Sequence, residues 1–447
     1  MFRYNVLMAI KSLRRNVAMS VLIVGAIALG VGVSALFSTM RHALAKDPIP
    51  ARSDVLYYVR LDSWDPIKPY PGDDPRALPP QITYRDMVGI MKSHIPVRQT
   101  AAFQSRLAVT PDSEDALASS RALWERVPAR LTYADFFAMF DVPFRFGGPW
   151  DKKADSAAEQ VAVLSQQLNE KLFGSENSVG KTLRIEGRVF RVVGVLDAWS
   201  PAVKYYDMNN PVDVPEQVYL PFELLRPMRI RSFGSNDGWG PSPSVPGFDA
   251  IFVSETTWIQ MWVELPDAAH VVAYRAFLDA YALDQRKAGR FQRPLNNRVT
   301  PLMAWLAELK IVPAQLNTMA IVSLLFLAVC ALNLMGLLLA KFLARAHEVG
   351  IRRALGARRS DIFVQYLVEC ELVALVGGLF GLLLARLALV GVNNWMKTLL
   401  ARADLFQLDF KMGLLALALA LGAGLCAGAY PAWRVCRVAP ALHLKWS

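Results

Sequence analysis

The sequence predicts a membrane protein: four transmembrane helices with a large α/β external domain of two subdomains. Three observations carry this. Hydrophobic residues make up 54% of the 447 positions, four long runs are almost free of charge, and one stretch of ordinary soluble character separates the first run from the second.

Val17–Met40, Val312–Ala340 and Met412–Trp433 contain no charged residue, and Leu372–Asn394 is interrupted only by Arg386. Each is long enough to cross roughly 30 Å of hydrocarbon as a helix. The first run is followed by "ALA" at 43–45, as in a signal-peptide cleavage site. Its apolar core exceeds the roughly 7–15 residues of a signal peptide, so it reads as an uncleaved span.

Lysine and arginine set the orientation. Arg3, Lys11, Arg14 and Arg15 precede the first span; Lys341, Arg345, Arg352, Arg353, Arg358 and Arg359 lie between the second and third; Arg434, Arg437 and Lys445 follow the fourth. Between the third and fourth, Lys397, Arg402 and Lys411 are offset by Asp404 and Asp409. The positive-inside rule places both termini and the 341–365 loop in the cytoplasm. The expected order is an N-terminal cytoplasmic amphipathic helix (1–16), a first span (17–40), the external domain (41–312) and a second span (313–340). A cytoplasmic loop (341–365), a third span (366–394), a short external loop (395–411), a fourth span (412–433) and a cytoplasmic tail (434–447) follow. Topology accounts for much of the net charge of +11, so no nucleic-acid partner is invoked, and membrane lipids are the natural contact. Cys330, Cys370, Cys426 and Cys436 all fall in or beside spans, leaving the external domain without disulfides. At about 270 residues it can bury a core without them.

Within that domain, "DVLYYVRLD" (54–62) and "VRQTAAFQSRLAVT" (97–110) read as strands, with "TYRDMVGIMKS" (83–93) a helix capped by Thr83. "ETTWIQMWVEL" (255–265) is a strand followed by a helix over about 267–286. These flanking pieces form one subdomain interrupted by an insertion over about 120–250. The insertion holds "LTYADFFAMFD", a short capped helix with Phe136, Phe137 and Phe140 on one face. Loops 62–80 and 197–250 are rich in Pro, Gly and aromatics, among them Trp199, Tyr205, Tyr206, Phe233 and Trp239. They fit either core packing or recognition. "PLMAWLAELK" (301–310) reads as a helical stalk running toward the second span and broken by Pro313.

"GSENSVGKT" (174–182) ends like a nucleotide-binding P-loop. Its spacing is one residue too long, and a P-loop must leave a strand and enter a helix. Here a helix ending at Gly174 precedes it, and the alternating strand pattern "TLRIEGRVFRVVGVL", with a turn at Gly187, follows. The segment reads as a turn. His42, His94, His270, His347 and His443 are scattered, and "HEVG" lacks the second histidine of a zinc-binding helix. Neither a metal nor a cofactor is expected, nor a catalytic centre.

"AKFLARAHEVGIRRALGARRSDIFVQYLVECELVALVGG" (340–378) is the most informative stretch. Val349, Ile351 and Leu355 offer an apolar stripe, Glu348 stands four residues before Arg352, Gly356 ends the element, and Ser360-Asp361 can cap the next helix. A membrane-surface helix has such a pattern. The run "EVGIRRALGA" (348–357), Glu369 and the Gly-rich span after it also resemble the FtsX/MacB-type permease family of ABC transporters. "CALNLMGLLLA" (330–340) with Asn333, "LSQQLNEKLFGSENSVGKTLRIEGRVFRVVGVL" (164–196), "SLRRN" (12–16) and "YPAWRVCRVAPALHL" (430–444) extend the resemblance along the chain.

The resemblance implies a permease of the bacterial inner membrane with a periplasmic domain of two subdomains. It implies that 348–358 rests in a groove of a cytoplasmic ATPase, and that Glu348, Gly350, Arg352, Arg353, Gly356 and Ala357 are coupling positions. Two permeases, identical or paralogous, would work with two copies of the ATPase. The ATPase is expected on a separate subunit, because only a short segment precedes the first span where MacB carries a fused ATPase. Export of a small molecule or peptide by mechanotransmission, with a periplasmic adaptor and outer-membrane channel as further partners, is the leading expectation. Regulation of an envelope protein and release of lipoproteins are the alternatives. Inside the membrane, Gly377/Gly381 and Gly424/Gly428 form two GxxxG pairs suited to packing within or between protomers. Asn333 is expected to bond to a neighbouring helix, and Arg386 to snorkel to the head groups.

Overall fold

A computed structural model describes residues 17–71, 76–112, 126–209, 211–240, 245–400 and 405–437. The amphipathic segment 1–16, Arg402, Asp404 and Lys445 lie outside the described residues. Two compact units emerge, one of Asp47–Ile311 and one formed by the helices before and after it. The principal elements in chain order are α1 (Val17–Ala45), β1 (Leu56–Arg60), β2 (Ile82–Thr83), α2 (Tyr84–Ile90), β3 (Arg98–Pro111), β4 (Arg126–Thr132) and α3 (Asp135–Met139). Then come β5 (Phe144–Gly147), β6 (Val161–Leu164), α4 (Gln166–Phe173), β7 (Thr182–Ile185), β8 (Arg188–Leu196), β9 (Val218–Pro221), β10 (Thr257–Glu264) and α5 (Ala268–Lys287). The series closes with β11 (Arg298–Pro301), α6 (Leu302–Glu308), α7 (Ala314–Leu343), α8 (Ala346–Ala354), α9 (Arg359–Leu400) and α10 (Phe410–Cys436).

The central unit is α/β. Its 11 strands form one sheet in the order β11-β1-β10-β3-β4-β9-β6-β8-β5, with β2 beside β10 and β7 bridging β3 and β8. The fourteen-residue β3 runs through both halves: its first residues pair with β10, the next with β4 and the last with β7. All eight residues of β10 are buried, the pattern of a strand covered on both faces. Tyr274, Leu278 and Ala282 of α5 are buried at one-turn spacing and face the core. Thr83 caps α2 by accepting from the Asp86 N–H. Arg290 then joins Asp86 (2.8 Å) to Glu255 (2.6 Å), fastening the α2 and β10 ends of the domain.

Several local expectations shift. α3 carries no side-chain cap of its own; Ala134 stands at the cap position, and its N–H donates to Asp155 (2.8 Å) from a later segment. The 301–310 segment is helical and breaks before Pro313, and it also packs on the sheet. Leu302, Trp305 and Leu306 of α6 are buried, Trp305 stacks on Tyr58 of β1 at 4.1 Å, and Glu308 pairs with Arg60 at 2.5 Å. Its apolar face had to be buried somewhere, and the sheet edge supplies the surface.

The segment 174–182 leaves α4 through Gly174 (φ 70°) and enters β7, not a helix. Glu186 and Gly187, both at positive φ (48° and 81°), turn β7 back into β8, the geometry of a two-residue hairpin.

The second unit is a bundle of helices, of which α1, α7, α9 and α10 are long and apolar enough to cross a membrane. On α7 the buried residues Ala320, Ser323, Leu327, Cys330, Leu334, Leu338 and Lys341 recur every three or four positions, a packing stripe. α9 is 42 residues long, about 63 Å at 1.5 Å per residue, twice a bilayer core. It begins at Arg359 and continues through 395–400, because nothing between Asn394 and Leu400 breaks a helix.

Candidate functional site

The segment between α7 and α9 is built by local rules. α7 ends at Leu343, and after two intervening residues α8 starts with Ala346 and Val349 turned into the bundle. It stops in a glycine-closed turn. The Gly356 N–H donates to the Arg353 carbonyl (3.1 Å) and the Ala357 N–H to the Arg352 carbonyl (3.1 Å), with Gly356 at φ 98°. A residue with a Cβ is strained there. α9 begins directly after, so Ser360 and Asp361 fall inside its first turn instead of before it. Asp361 there favours the positive helix end.

The apolar stripe expected of α8 divides. Val349 is buried, whereas Ile351 is 43% and Leu355 83% exposed. Two large aliphatic side chains therefore face away from the bundle. Glu348, Gly350, Arg352, Arg353 and Ala357 are half-buried, and Gly356 is exposed. Arg352 donates to Gln365 of α9 (3.1 Å), and Arg353 to the Cys436 carbonyl of α10 (3.3 Å). The two arginines thus tie α8 to two membrane helices.

Beneath α8 lies a buried ion pair that sequence reasoning missed. Lys341, near the end of α7, stands 2.7 Å from Glu369 of α9, and Arg345 is 3.8 Å from the other carboxylate oxygen. Lys341 and Glu369 are both almost fully buried. Phe342 packs on Tyr366 at 4.3 Å beside them. In the sequence Lys341 counts only toward topology; opposite charges bordering consecutive spans are the available signal.

The paired glycines lie at close approaches within the chain. A Cβ on Gly377 would come 2.8 Å from Ile27 of α1, and one on Gly381 2.9 Å from the Ala28 carbonyl. On α10, Gly424 abuts Ala374 and Gly428 abuts Cys370, both of α9. Among the described residues, Asn333 makes no bond to a neighbouring helix. It lies on the exposed face of α7, because Cys330 and Leu334 set the inward stripe. Arg386 is also exposed.

In the central unit, Arg130, Lys204, Asp207 and Glu216 are fully buried together. Arg130 contacts Asp207 at 2.5 Å and Glu216 at 2.9 Å; Lys204 lies 3.5 Å and 3.3 Å from the same carboxylates. Two cations and two anions cancel, which a dry site requires. Burial pushes the Asp207 pKa up, but Arg130 and Lys204 outweigh it and bring it down to about 2. Glu216 is lowered against its burial by the same cations. Aromatic rings enclose the cluster: Arg130 sits over Tyr206 at 4.7 Å, and Trp199 stacks on Tyr206 at 5.1 Å. Tyr205 and Tyr206 are buried, and Trp239 donates to the Ser63 carbonyl at 2.8 Å. Of the loop aromatics, Phe233 stays exposed. The four charged residues have no sequence periodicity, so nothing announced the cluster.

Residues 20–281 match the family model of the MacB-like periplasmic core domain, and residues 320–440 that of the FtsX-like permease C-terminal domain. Among curated proteins, the chain is 29% identical over 310 residues to the pyoverdine export ATP-binding/permease protein PvdT of Pseudomonas aeruginosa, matching 69% of this chain and 41% of that one. It is 25% identical over 304 residues to the macrolide export ATP-binding/permease protein MacB of Bdellovibrio bacteriovorus, matching 67% and 41%. The chain thus spans about two fifths of the length of these relatives. Among solved structures, the periplasmic region of MacB from Actinobacillus actinomycetemcomitans aligns with 58% of this chain and 94% of its own, at 14% identity and a TM-score of 0.35. The extracellular domain of the noncanonic ABC-type transporter YknZ from Gram-positive bacteria aligns with 55% and 99%, at 12% identity and 0.32. Four apolar helices and a MacB-like periplasmic domain fit a multi-pass inner-membrane protein. The chain belongs to the MacB-like family of ABC permeases, a MacB-like periplasmic core domain joined to an FtsX-like permease C-terminal domain.

Proposed function

We propose that this chain is the membrane subunit of an exporter in which a separate cytoplasmic ATPase drives movement of the periplasmic domain. α8 and the turn after it receive the ATPase. The observation that carries this reading is the outward pair Ile351 and Leu355, beside arginines that anchor α8 to α9 and α10. An aliphatic side chain 83% exposed at a charged membrane border has a use if a partner groove covers it. The anchored arginines make α8 a lever: displacing it must displace two membrane helices. Lysine and arginine distribution favours cytoplasmic termini and a cytoplasmic 341–365 loop. A second permease completes the unit, with an adaptor and an outer-membrane channel as further partners. The names of the relatives, pyoverdine and macrolide export proteins, favour a small-molecule or peptide cargo.

The test pairs the chain with its ATPase in nanodiscs. Leu355 is 83% exposed, so Leu355→Glu should keep its thermal stability but lose ATPase binding by at least tenfold. Replacing both Arg352 and Arg353 by Glu also abolishes coupling. Retained binding and retained coupling in Leu355→Glu would overturn the assignment.

A further inference from the structure

We infer that the central domain carries a binding cleft for a small organic anion, a carboxylate or phosphate attached to an apolar body. The inference stands on that domain alone and holds whether or not an ATPase drives the chain.

The cleft is made by a short turn after β9. Leu225–Met228 forms a single helical turn that ends at Arg229, whose backbone takes a left-handed conformation (φ 53°). The turn is pinned because Ile230 is buried and its N–H donates to the Leu225 carbonyl (3.1 Å). With Ile230 held inward, Arg226, Arg229 and Arg231 point into solvent. The Arg231 backbone is fixed too, its carbonyl accepting from Ser105 Oγ at 2.8 Å. Next to it Arg106 is the one exposed residue of the buried run 101–110 in β3.

Three of these four arginines lie over aromatic rings. Arg226 lies 4.3 Å above Phe252, Arg229 5.2 Å above Phe248 and Arg106 4.7 Å above Phe233; Phe248 and Phe252 are themselves 5.4 Å apart. Among the described residues, none of the four has a carboxylate within 4 Å. Neighbouring acids are already engaged. Glu255 is held by Arg290 (2.6 Å) and Arg85 (3.2 Å), and Asp237 accepts from Tyr70 (2.6 Å) and Ser235 (3.0 Å). Asp249 is exposed and pairs with none of the arginines. The face keeps a net positive charge.

Arg231 opens onto a cleft of about 440 Å³, floored by Phe248 and Ile251 and walled by Ser232, Asn236, Ser254 and Thr256. That volume lies in the range of small-molecule sites, roughly 300–1,000 Å³. A guanidinium binds the two oxygens of a carboxylate or phosphate with parallel N–H donors. The hydroxyls and the amide orient the polar end, and Phe248 and Ile251 cover the apolar body. The three stacked arginines raise the local anion concentration without forming the contact themselves.

The test uses the intact chain in phosphatidylcholine nanodiscs and calorimetric titration with 2-naphthoate, 2-naphthyl phosphate and uncharged 2-naphthol, after subtraction of heats from empty nanodiscs. Saturable one-to-one binding is expected for at least one anion, and the two anionic arms tell which head group is preferred. 2-Naphthol binds at least tenfold more weakly. Arg231→Gln loses at least tenfold in affinity for the anion, whereas Arg184→Gln, in β7, leaves it unchanged. Absence of saturable binding by both anions, equal binding of 2-naphthol, or full affinity in a folded Arg231→Gln protein would each overturn the proposal.

Discussion

Lys341 Nζ lies 2.7 Å from Glu369 Oε1, and the pair joins α7 to α9 immediately before the chain turns into α8. Removing Glu369 leaves the buried Lys341 uncompensated, and removing Lys341 leaves Glu369 with the more distant Arg345 at 3.8 Å; breaking such a pair costs about 3–5 kcal/mol. Glu369→Gln and Lys341→Met should each lower thermal stability in nanodiscs by this order. The double substitution Lys341→Met with Glu369→Leu should recover most of the loss, because the desolvation of both charges disappears with them. A double variant as unstable as the singles would show that packing, not charge compensation, holds the two helices.

The glycine contacts make a second prediction. Gly424 of α10 meets the Ala374 side chain, and Gly428 meets Cys370. Gly424→Leu must push α10 from α9, at about 1–3 kcal/mol of overpacking strain. Gly413→Leu, at a position with open space beside it, should leave stability unchanged. Thermal unfolding of the two variants in the same nanodiscs compares them, and equal stability would contradict the assigned contact.

The buried cluster of the periplasmic domain predicts acid sensitivity. Asp207 has its pKa held at about 2 against an ordinary 3.8. The folded state therefore gains from the ionised form, a stabilisation fully present above about pH 4 and lost as pH falls through about 2. Its size is roughly 2 kcal/mol. Denaturant titrations from pH 5 to pH 2 should show this loss. Asp207→Asn should show a flatter profile and a lower plateau, because Arg130 and Lys204 lose a counter-charge.

Asp155 should act in the opposite sense. Burial raises its pKa from 3.8 to about 6, against bonds from the Ala134 N–H and the Trp150 indole that favour the carboxylate. The folded state binds the proton more tightly than the unfolded chain, so stability falls as pH rises from about 4 through 6, by roughly 3 kcal/mol. Asp155→Asn removes that slope. A wild-type profile rising over the same interval would contradict the sign.

Much of this architecture was written in local patterns. The charge-free runs gave the membrane helices, alternation gave β1, β3 and β10, Thr83 gave the start of α2, and the Gly187 turn gave the β7–β8 hairpin. What escaped is non-local. Arg130 and Glu216 meet through a parallel β4–β9 pairing, and no spacing along the chain announces a contact 86 residues apart. Lys341 read as a topology signal, since a lysine at a span border has that use whether or not an acid faces it. The packing of α6 escaped for a related reason: its apolar face found Tyr58 and Arg60, whose positions a linear reading could not place beside it. On α8 the stripe was seen, but only the bundle decides that Val349 turns inward and Leu355 outward.

The most direct measurement of the central claim is a distance change across the membrane. Spin labels at a cysteine replacing the exposed Lys152, on both permeases of the proposed ATPase complex, report their separation by double electron–electron resonance. The account predicts that ATP changes the distance distribution in the wild-type background and leaves it unchanged when Leu355→Glu is present. The same distribution with and without ATP, in a complex that hydrolyses it, would contradict the account.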